Sequence, residues 1–417
     1  MSELSSLPPA LWIAAGLALY MAWAIGANDV ANAMGTSVGS GALRVRDAIV
    51  VAAFLEFGGA FLAGGHVTDT VRKGILDMDQ MSREALLHGM LAALAAAATL
   101  LLAATRRGLP ISTTHSIVGA IIGFGAVSVG PEAVRWGKVG QIVLSWLTSP
   151  LLAGVLAYLL FQLTRRLVLD REDPLGQLRR IGPFFFFYVF FIIGLVTLFK
   201  GFKNLKLDLD LPQALAASVG LGLAGAAVGA VALRRVREGA PDRGHRFSRV
   251  ERVFVVLQVL TACAIAFAHG SNDVANAIGP LAAVTSAVTG GPELEGHAAV
   301  HPWMLAVGGL GIVLGLATWG HRVMETVGRR ITDLTPSRGF AAELAAATTI
   351  VLASRLGIPI STTHTLVGAV LGVGMARGIG ALDLRVVGQI IVSWVATLPI
   401  AAGLAIFFFY FFKGLLS

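Results

Sequence analysis

The sequence predicts an all-α polytopic membrane protein, with about 12 transmembrane helices in two inverted-topology repeats and re-entrant or broken helices inside each. Three observations predict it. The 417 residues are 56% hydrophobic and 13% charged, about half the charged share of a soluble domain, and the mean hydropathy is +0.77, so most of the chain has lipid for its solvent. Apolar runs long enough to cross a bilayer recur from end to end. Finally, two short polar motifs embedded in those runs each occur twice, in the same order.

The runs fall near 10–35, 48–66, 85–105, 111–130, 139–164, 183–202, 212–233, 252–288, 303–321, 340–356, 360–376 and 386–412. The stretches 85–130 and 340–376 are interrupted by Pro110 and Pro359 and a polar patch, as expected of a helix followed by a half-helix. Fifty glycines suit close helix–helix approach in a bilayer. The single cysteine, Cys263, excludes a disulfide or a thiolate metal cluster within one chain. Met1–Ala10 has no basic n-region, so no cleaved signal peptide is expected. The phenylalanines of 184–187 and 407–412 are expected to face lipid.

The net charge of +8 comes from basic residues between the apolar runs, which fits cytoplasmic loops better than nucleic-acid binding. Arg165, Arg166, Arg171, Arg179 and Arg180 lie in one loop, and seven arginines lie in the 234–252 loop. Two spans separate these loops, so both are expected inside, with both termini outside the cell membrane. Arg322, Arg329, Arg330 and Arg338 then fall inside as well. Lys200, Lys203 and Lys206 fall outside, diluted by Asp208 and Asp210.

Self-similarity sets the architecture. Gly26-Ala27-Asn28-Asp29-Val30-Ala31-Asn32-Ala33 returns as Gly270-Ser271-Asn272-Asp273-Val274-Ala275-Asn276-Ala277. Pro110-Ile111-Ser112-Thr113-Thr114-His115 returns as Pro359-Ile360-Ser361-Thr362-Thr363-His364. Gly140-Gln141-Ile142 with Ser145-Trp146 returns as Gly388-Gln389-Ile390 with Ser393-Trp394, and Thr70-Val71 with Asp77 as Thr326-Val327 with Asp333. Seven spans separate the two first spans, an odd number, so the copies enter the membrane from opposite sides. Inverted repeats of this kind place a transported solute at their interface near the midplane. The boundaries are 1–165 for the first repeat, 166–250 for a linker with two extra spans and a short basic loop, and 251–417 for the second repeat.

An intramembrane carboxylate costs at least ~2.5 kcal/mol to insert and marks a functional site. No Lys or Arg lies near Asp29 or Asp273 in sequence. Asn28, Asp29 and Asn32, with Asn272, Asp273 and Asn276, offer oxygens to a hard cation such as Na⁺. Carbonyls freed where Gly26, Gly35, Gly270 and Gly279-Pro280 loosen the helix would add to them. Ser112, Thr113 and Thr114, and Ser361, Thr362 and Thr363, follow a proline and read as helix N-termini. Free N–H groups, hydroxyls and a positive dipole end suit a small anion there, ordinary capping of a re-entrant helix being the alternative. His115 and His364 are candidates for proton handling or anion contact, against neutral histidines bonding a carbonyl. Glu56 and Glu343 lack acidic counterparts in the other half and are candidates for ion coupling or gating, against a buried structural pair. Two aspartates and a singly charged small anion bring roughly three negative charges, so co-bound cations or protons are expected.

The paired Gly-Ala/Ser-Asn-Asp-Val-Ala-Asn-Ala and Pro-Ile-Ser-Thr-Thr-His segments resemble those of the inorganic phosphate transporter (PiT) family, over nearly the whole chain. The resemblance implies a twelve-span inverted-repeat fold and phosphate symport driven by Na⁺ or H⁺. It assigns Asp29 and Asp273, with Asn28 and Asn272, to cation and phosphate binding at the centre, and the six Ser/Thr positions to phosphate. It also implies that Glu56 and Glu343 matter for transport. The 234–252 loop is much shorter than in animal relatives, which disfavours regulation through it. No enzyme activity and no cofactor are expected; the partners are the anion, the coupling cation and lipid, and a homodimer is expected. A sulfate symporter on the same scaffold is the nearest rival. A phosphotransfer enzyme using His115 or His364 lacks any accompanying Walker-type loop, metal-binding acidic cluster or catalytic domain.

Overall fold

The structure, a computed structural model, describes residues 9–64, 75–76, 81–200, 210–236, 248–289, 300–355 and 360–416. Thr70, Val71, Asp77, Pro359, the lysines at 203 and 206 and most of the 234–252 loop lie outside the described residues. Within them the chain is helical, the sole β feature being an isolated bridge between Leu76 and Val134. Thirteen α-helices follow in order: α1 (Pro9–Ser40), α2 (Val45–Ala63), α3 (Arg83–Arg106), α4 (Thr113–Ser128), α5 (Trp136–Thr164), α6 (Pro174–Lys200), α7 (Leu211–Arg235), α8 (Arg249–Thr289), α9 (Pro302–Thr318), α10 (Gly320–Glu325), α11 (Pro336–Arg355), α12 (Thr362–Met375) and α13 (Leu384–Leu416).

Seven described helices (α1, α3, α5, α6, α7, α8 and α13) are long and apolar enough to cross a bilayer. An eighth span results if α9 and the turns after it count as one path, bent by 60° near Trp319. By contrast α4 and α12 have 16 and 14 residues, or about 24 and 21 Å of helix, short of a hydrocarbon core of about 30 Å. Each begins inside the protein on a buried serine. Ser112 Oγ accepts from the His115 N–H at 3.3 Å and Ser361 Oγ from the His364 N–H at 3.2 Å, so the capping expected from the two Ser-Thr-Thr-His motifs is present.

The packing pattern is unchanged when the two halves are exchanged. Helix α1 packs on α9 as α8 packs on α2; α4 packs on α13 as α12 packs on α5; α3 packs on α13 as α11 packs on α5. The closest crossings need glycine: a Cβ on Gly26 would collide with the Ile312 carbonyl, and a Cβ on Gly270 with the Glu56 carbonyl. Small residues at such points let backbones meet. Helices α6 and α7 pack chiefly on each other, and α6 leans on α8.

Two expectations need correction. The helices do not break at the Asn-Asp motifs: α1 runs through Gly26 and Gly35, and α8 runs 41 residues through Gly270 and Pro280. A single carbonyl loses its helical donor there, that of Asn276, because Pro280 has no N–H. The phenylalanine runs face lipid only in part. Phe184, Phe407 and Phe411 are exposed, but Phe185, Phe186, Phe409 and Phe412 are buried. Phe185 packs on Phe254 and Phe340, because neighbouring positions on a helix face different ways.

Candidate functional site

The centre is built where α1 and α8 pass the N-termini of α4 and α12. Asp29 on α1 is 1% exposed. Its Oδ2 accepts from the Thr113 hydroxyl of α4, and its Oδ1 from the Thr363 hydroxyl of α12 at 3.2 Å. One carboxylate therefore gathers hydroxyls from both short helices, one from each half of the chain. Asn32, one turn on, donates through Nδ2 to Asp29 Oδ1 at 3.1 Å and to Thr363 Oγ1 at 2.8 Å. Its Oδ1 is buried and, among the described residues, has no hydrogen-bond donor. An uncompensated carbonyl oxygen beside a carboxylate is what a hard cation would satisfy.

Asp273 on α8 is 2% exposed. Asn272 Nδ2 approaches its Oδ1 at 3.4 Å, and His269 Nε2 lies 2.8 Å from its Oδ2. The other His269 nitrogen, Nδ1, faces Glu56 Oε2 of α2 at 3.4 Å. Ligand atoms of Asp29, His269 and Asp273 all lie within 4.8 Å of one another, so the two Asn-Asp motifs form one cluster. A small void of about 20 Å³ adjoins it, lined in part by Asn32, His269, Asn272 and Thr362. That is room for about one water.

The other expected residues are placed as follows. Asn28 is turned towards the α3–α4 connection: its Nδ2 donates to Thr105 Oγ1 at 2.8 Å and to the Leu109 carbonyl at 3.1 Å, and its Oδ1 accepts from the Ile111 N–H at 3.2 Å. It thereby holds the approach to α4 and stands apart from the carboxylate cluster. Asn276 is buried one turn beyond Asp273. Thr114 and Thr362 are half-buried, while Ser112 and Ser361 serve as caps. His115 and His364 meet at the middle, rings 4.5 Å apart and edge to face. Each also lies on a tryptophan of α5 or α13, His115 on Trp146 and His364 on Trp394, both at 3.7 Å. Trp394 in turn donates to the Pro110 carbonyl at 3.0 Å, tying α13 to the start of α4.

Glu343 sits apart, on α11, in a cage of donors from two other helices, α1 and α8. Its Oε1 accepts from Thr36 at 2.5 Å, Ser37 at 2.8 Å and Gln258 Nε2 at 3.3 Å, and its Oε2 from Thr261 at 2.6 Å. No sequence pattern singled out these four donors. His269 was missed as well. Its one signal was a position four residues before Asp273, which puts it on the same helix face.

The fold and centre define a helical membrane protein that brings carboxylates, hydroxyls and two half-helix N-termini to one buried point. The chain matches the phosphate transporter family over residues 25–405, and it belongs to that family. It is 47% identical over 410 residues to a candidate phosphate permease of Haemophilus influenzae, covering 98% of this chain and 97% of that one. It is 44% identical to the chloroplastic inorganic phosphate transporter 2-1 of Arabidopsis thaliana, over 95% of this chain and 71% of the relative. A solved structure described as the sodium-dependent phosphate transporter superposes with a TM-score of 0.86 at 42% identity, covering 97% of this chain and 99% of that one.

Proposed function

We propose that the protein is a secondary active transporter that imports inorganic phosphate together with Na⁺, or H⁺, by alternating access, its two halves related as inverted repeats spanning 1–165 and 251–417. One observation carries the reading: Asp29 accepts hydroxyls from the N-termini of both α4 and α12. The groups suited to a cation and those suited to an anion are thus one cluster. Phosphate entering it would take over Thr113 and Thr363, with Ser112, Thr114, Ser361 and Thr362 and the helix N–H groups beside them. A cation would take Asp29, Asp273 and the free oxygen of Asn32, with Asn272 and Asn276 at hand.

Charge then couples the two. Counted as an ion pair, Glu56 and His269 leave the balance unchanged, with Asp29, Asp273 and phosphate contributing roughly three negatives. Buried charge of that size requires co-bound cations, and each ligand raises the affinity for the other. Phosphate is favoured over sulfate because the relatives described above are named for phosphate, and Na⁺ over H⁺ because the 42% identical neighbour is described as sodium-dependent. The protein acts as a homodimer in the cell membrane with both termini outside. The test is radiolabelled phosphate uptake into proteoliposomes under an imposed Na⁺ gradient, then under a pH gradient, with excess sulfate as competitor. Uptake that ignores both gradients overturns the symport reading, and full competition by sulfate overturns the choice of anion.

A further inference from the structure

Far from the centre, α6, α7 and α8 enclose a groove of about 610 Å³ whose chemistry changes along its length. Its wall is apolar, formed by Phe186 and Phe190 of α6, Val228 of α7, and Val256 and Leu260 of α8. At one end it is bounded by Arg249 and Arg252. A second hollow of about 390 Å³ shares Val228 and Ala232 with it and includes Arg235, at the end of α7. The two hollows therefore fork around one stretch of α7.

We propose that this forked groove holds an anionic phospholipid from the leaflet on the side of the 234–252 arginines, its acyl chains in the hollows and its phosphate at Arg235, Arg249 and Arg252. The dimensions agree. The eleven helical steps from Arg249 to Leu260 span about 16 Å of helix, close to the depth of one leaflet, half of a hydrocarbon core of about 30 Å. Leu233 and Val236 at the end of α7 line the same hollow as Arg249 and Arg252 at the start of α8, so the arginines lie where headgroups lie. Guanidinium forks match phosphate oxygens, and basic pockets between spans bind anionic headgroups. The N-terminus of α8 adds its dipole to the same end. A second copy of the chain is a poorer occupant. A two-fold axis along the membrane normal would bring this end of one protomer, at the same depth, against the same arginines of the other.

The test uses the purified full-length chain and native mass spectrometry, with phosphatidylglycerol or phosphatidylcholine of identical acyl chains. The proposal expects phosphatidylglycerol to bind preferentially and glycerol phosphate not to bind. The preference falls about fivefold with each of Arg249→Gln and Arg252→Gln, and Val256→Trp, which fills the apolar channel, removes lipid binding. Thermal unfolding in detergent and phosphate uptake, both unchanged, show that the variants are folded. Equal retention of the two lipids, an unaltered preference in the double arginine variant, or binding of glycerol phosphate as well as lipid overturns it. So does a dimer that Val256→Trp converts to monomer without change in bound lipid.

Discussion

Glu56 and His269 face each other across the α2–α8 contact, Oε2 to Nδ1 at 3.4 Å, and the other half of the molecule places isoleucines at both positions. Gly270 lies on the Glu56 backbone as Gly26 lies on that of Ile312, which makes Ile312 the counterpart of Glu56, and the repeat offset makes Ile25 that of His269. Ile25 and Ile312 are both fully buried. A near-symmetric scaffold thus carries an ionisable acid–base pair on one side and a hydrocarbon pair on the other.

That contrast separates structural from functional roles. Breaking a buried charge pair costs about 3–5 kcal/mol, so Glu56→Ala and His269→Ala should each lower the unfolding temperature clearly. Glu56→Ile combined with His269→Ile copies the packing of the other half, and should recover part of that loss while leaving phosphate uptake absent. Uptake at the wild-type rate in the double variant would show the pair to be packing alone.

The two threonines on Asp29 should behave alike despite lying 250 residues apart. Hydrogen bonds to a charged group contribute about 1.5–3 kcal/mol. Thr113→Val and Thr363→Val are expected to raise the KM for phosphate at least about tenfold, and Thr→Ser at either position to keep it near wild type. Initial-rate uptake against phosphate concentration reads both.

Asp29→Asn and Asp273→Asn should each abolish coupled uptake with the protein still folded, as size-exclusion profile and circular dichroism report. Retained Na⁺ dependence in either variant would remove that carboxylate from the proposed cation site.

Glu343 accepts four side-chain donors, and Glu343→Gln replaces one acceptor oxygen with an amide that cannot accept from Thr261. Destabilisation of about 1.5–3 kcal/mol is expected, visible as a lower unfolding temperature in detergent. Thr261→Val should show a similar loss, and the two changes combined less than the sum, since they share one contact.

Glycine positions divide sharply. Gly26→Ala and Gly270→Ala push a methyl group into backbone and should prevent folding or separate the halves, whereas Gly140→Ala and Gly403→Ala, which meet nothing within 4 Å, should leave the unfolding temperature unchanged or raised by the gain of up to about 1 kcal/mol in helix propensity. Yield and monodispersity after purification distinguish them.

Much of the centre was legible because it is duplicated. Asp29 with Asp273, and Thr113 with Thr363, stand out when the chain is compared with itself, and a serine after a proline announces a helix start before any coordinates exist. What duplication reveals, asymmetry hides. His269 aligns with Ile25 and Glu343 with Leu94, so neither appears in a repeat, and their partners come from helices far away in sequence. The unbroken course of α1 and α8 through their glycines was equally hidden, because neighbouring helices at Ile312 and Glu56 support backbone that glycine alone would loosen. Asn28 looked identical in kind to Asn32, yet it lies one helical turn earlier, where it meets the α3–α4 connection instead of the carboxylates.

The bond from Thr363 to Asp29 joins residues 334 apart in the chain, and this sets an order for biogenesis. At roughly 5–20 residues per second of synthesis, Asp29 and Asn32 wait about 17–67 s for the hydroxyl that completes their shell. For the part of that interval before α8 is made, a carboxylate within an apolar helix has only its own half for company. The centre is therefore assembled last, from an early helix that must tolerate being incomplete, and a chain truncated before α12 would leave the ribosome with its most polar residues unmatched.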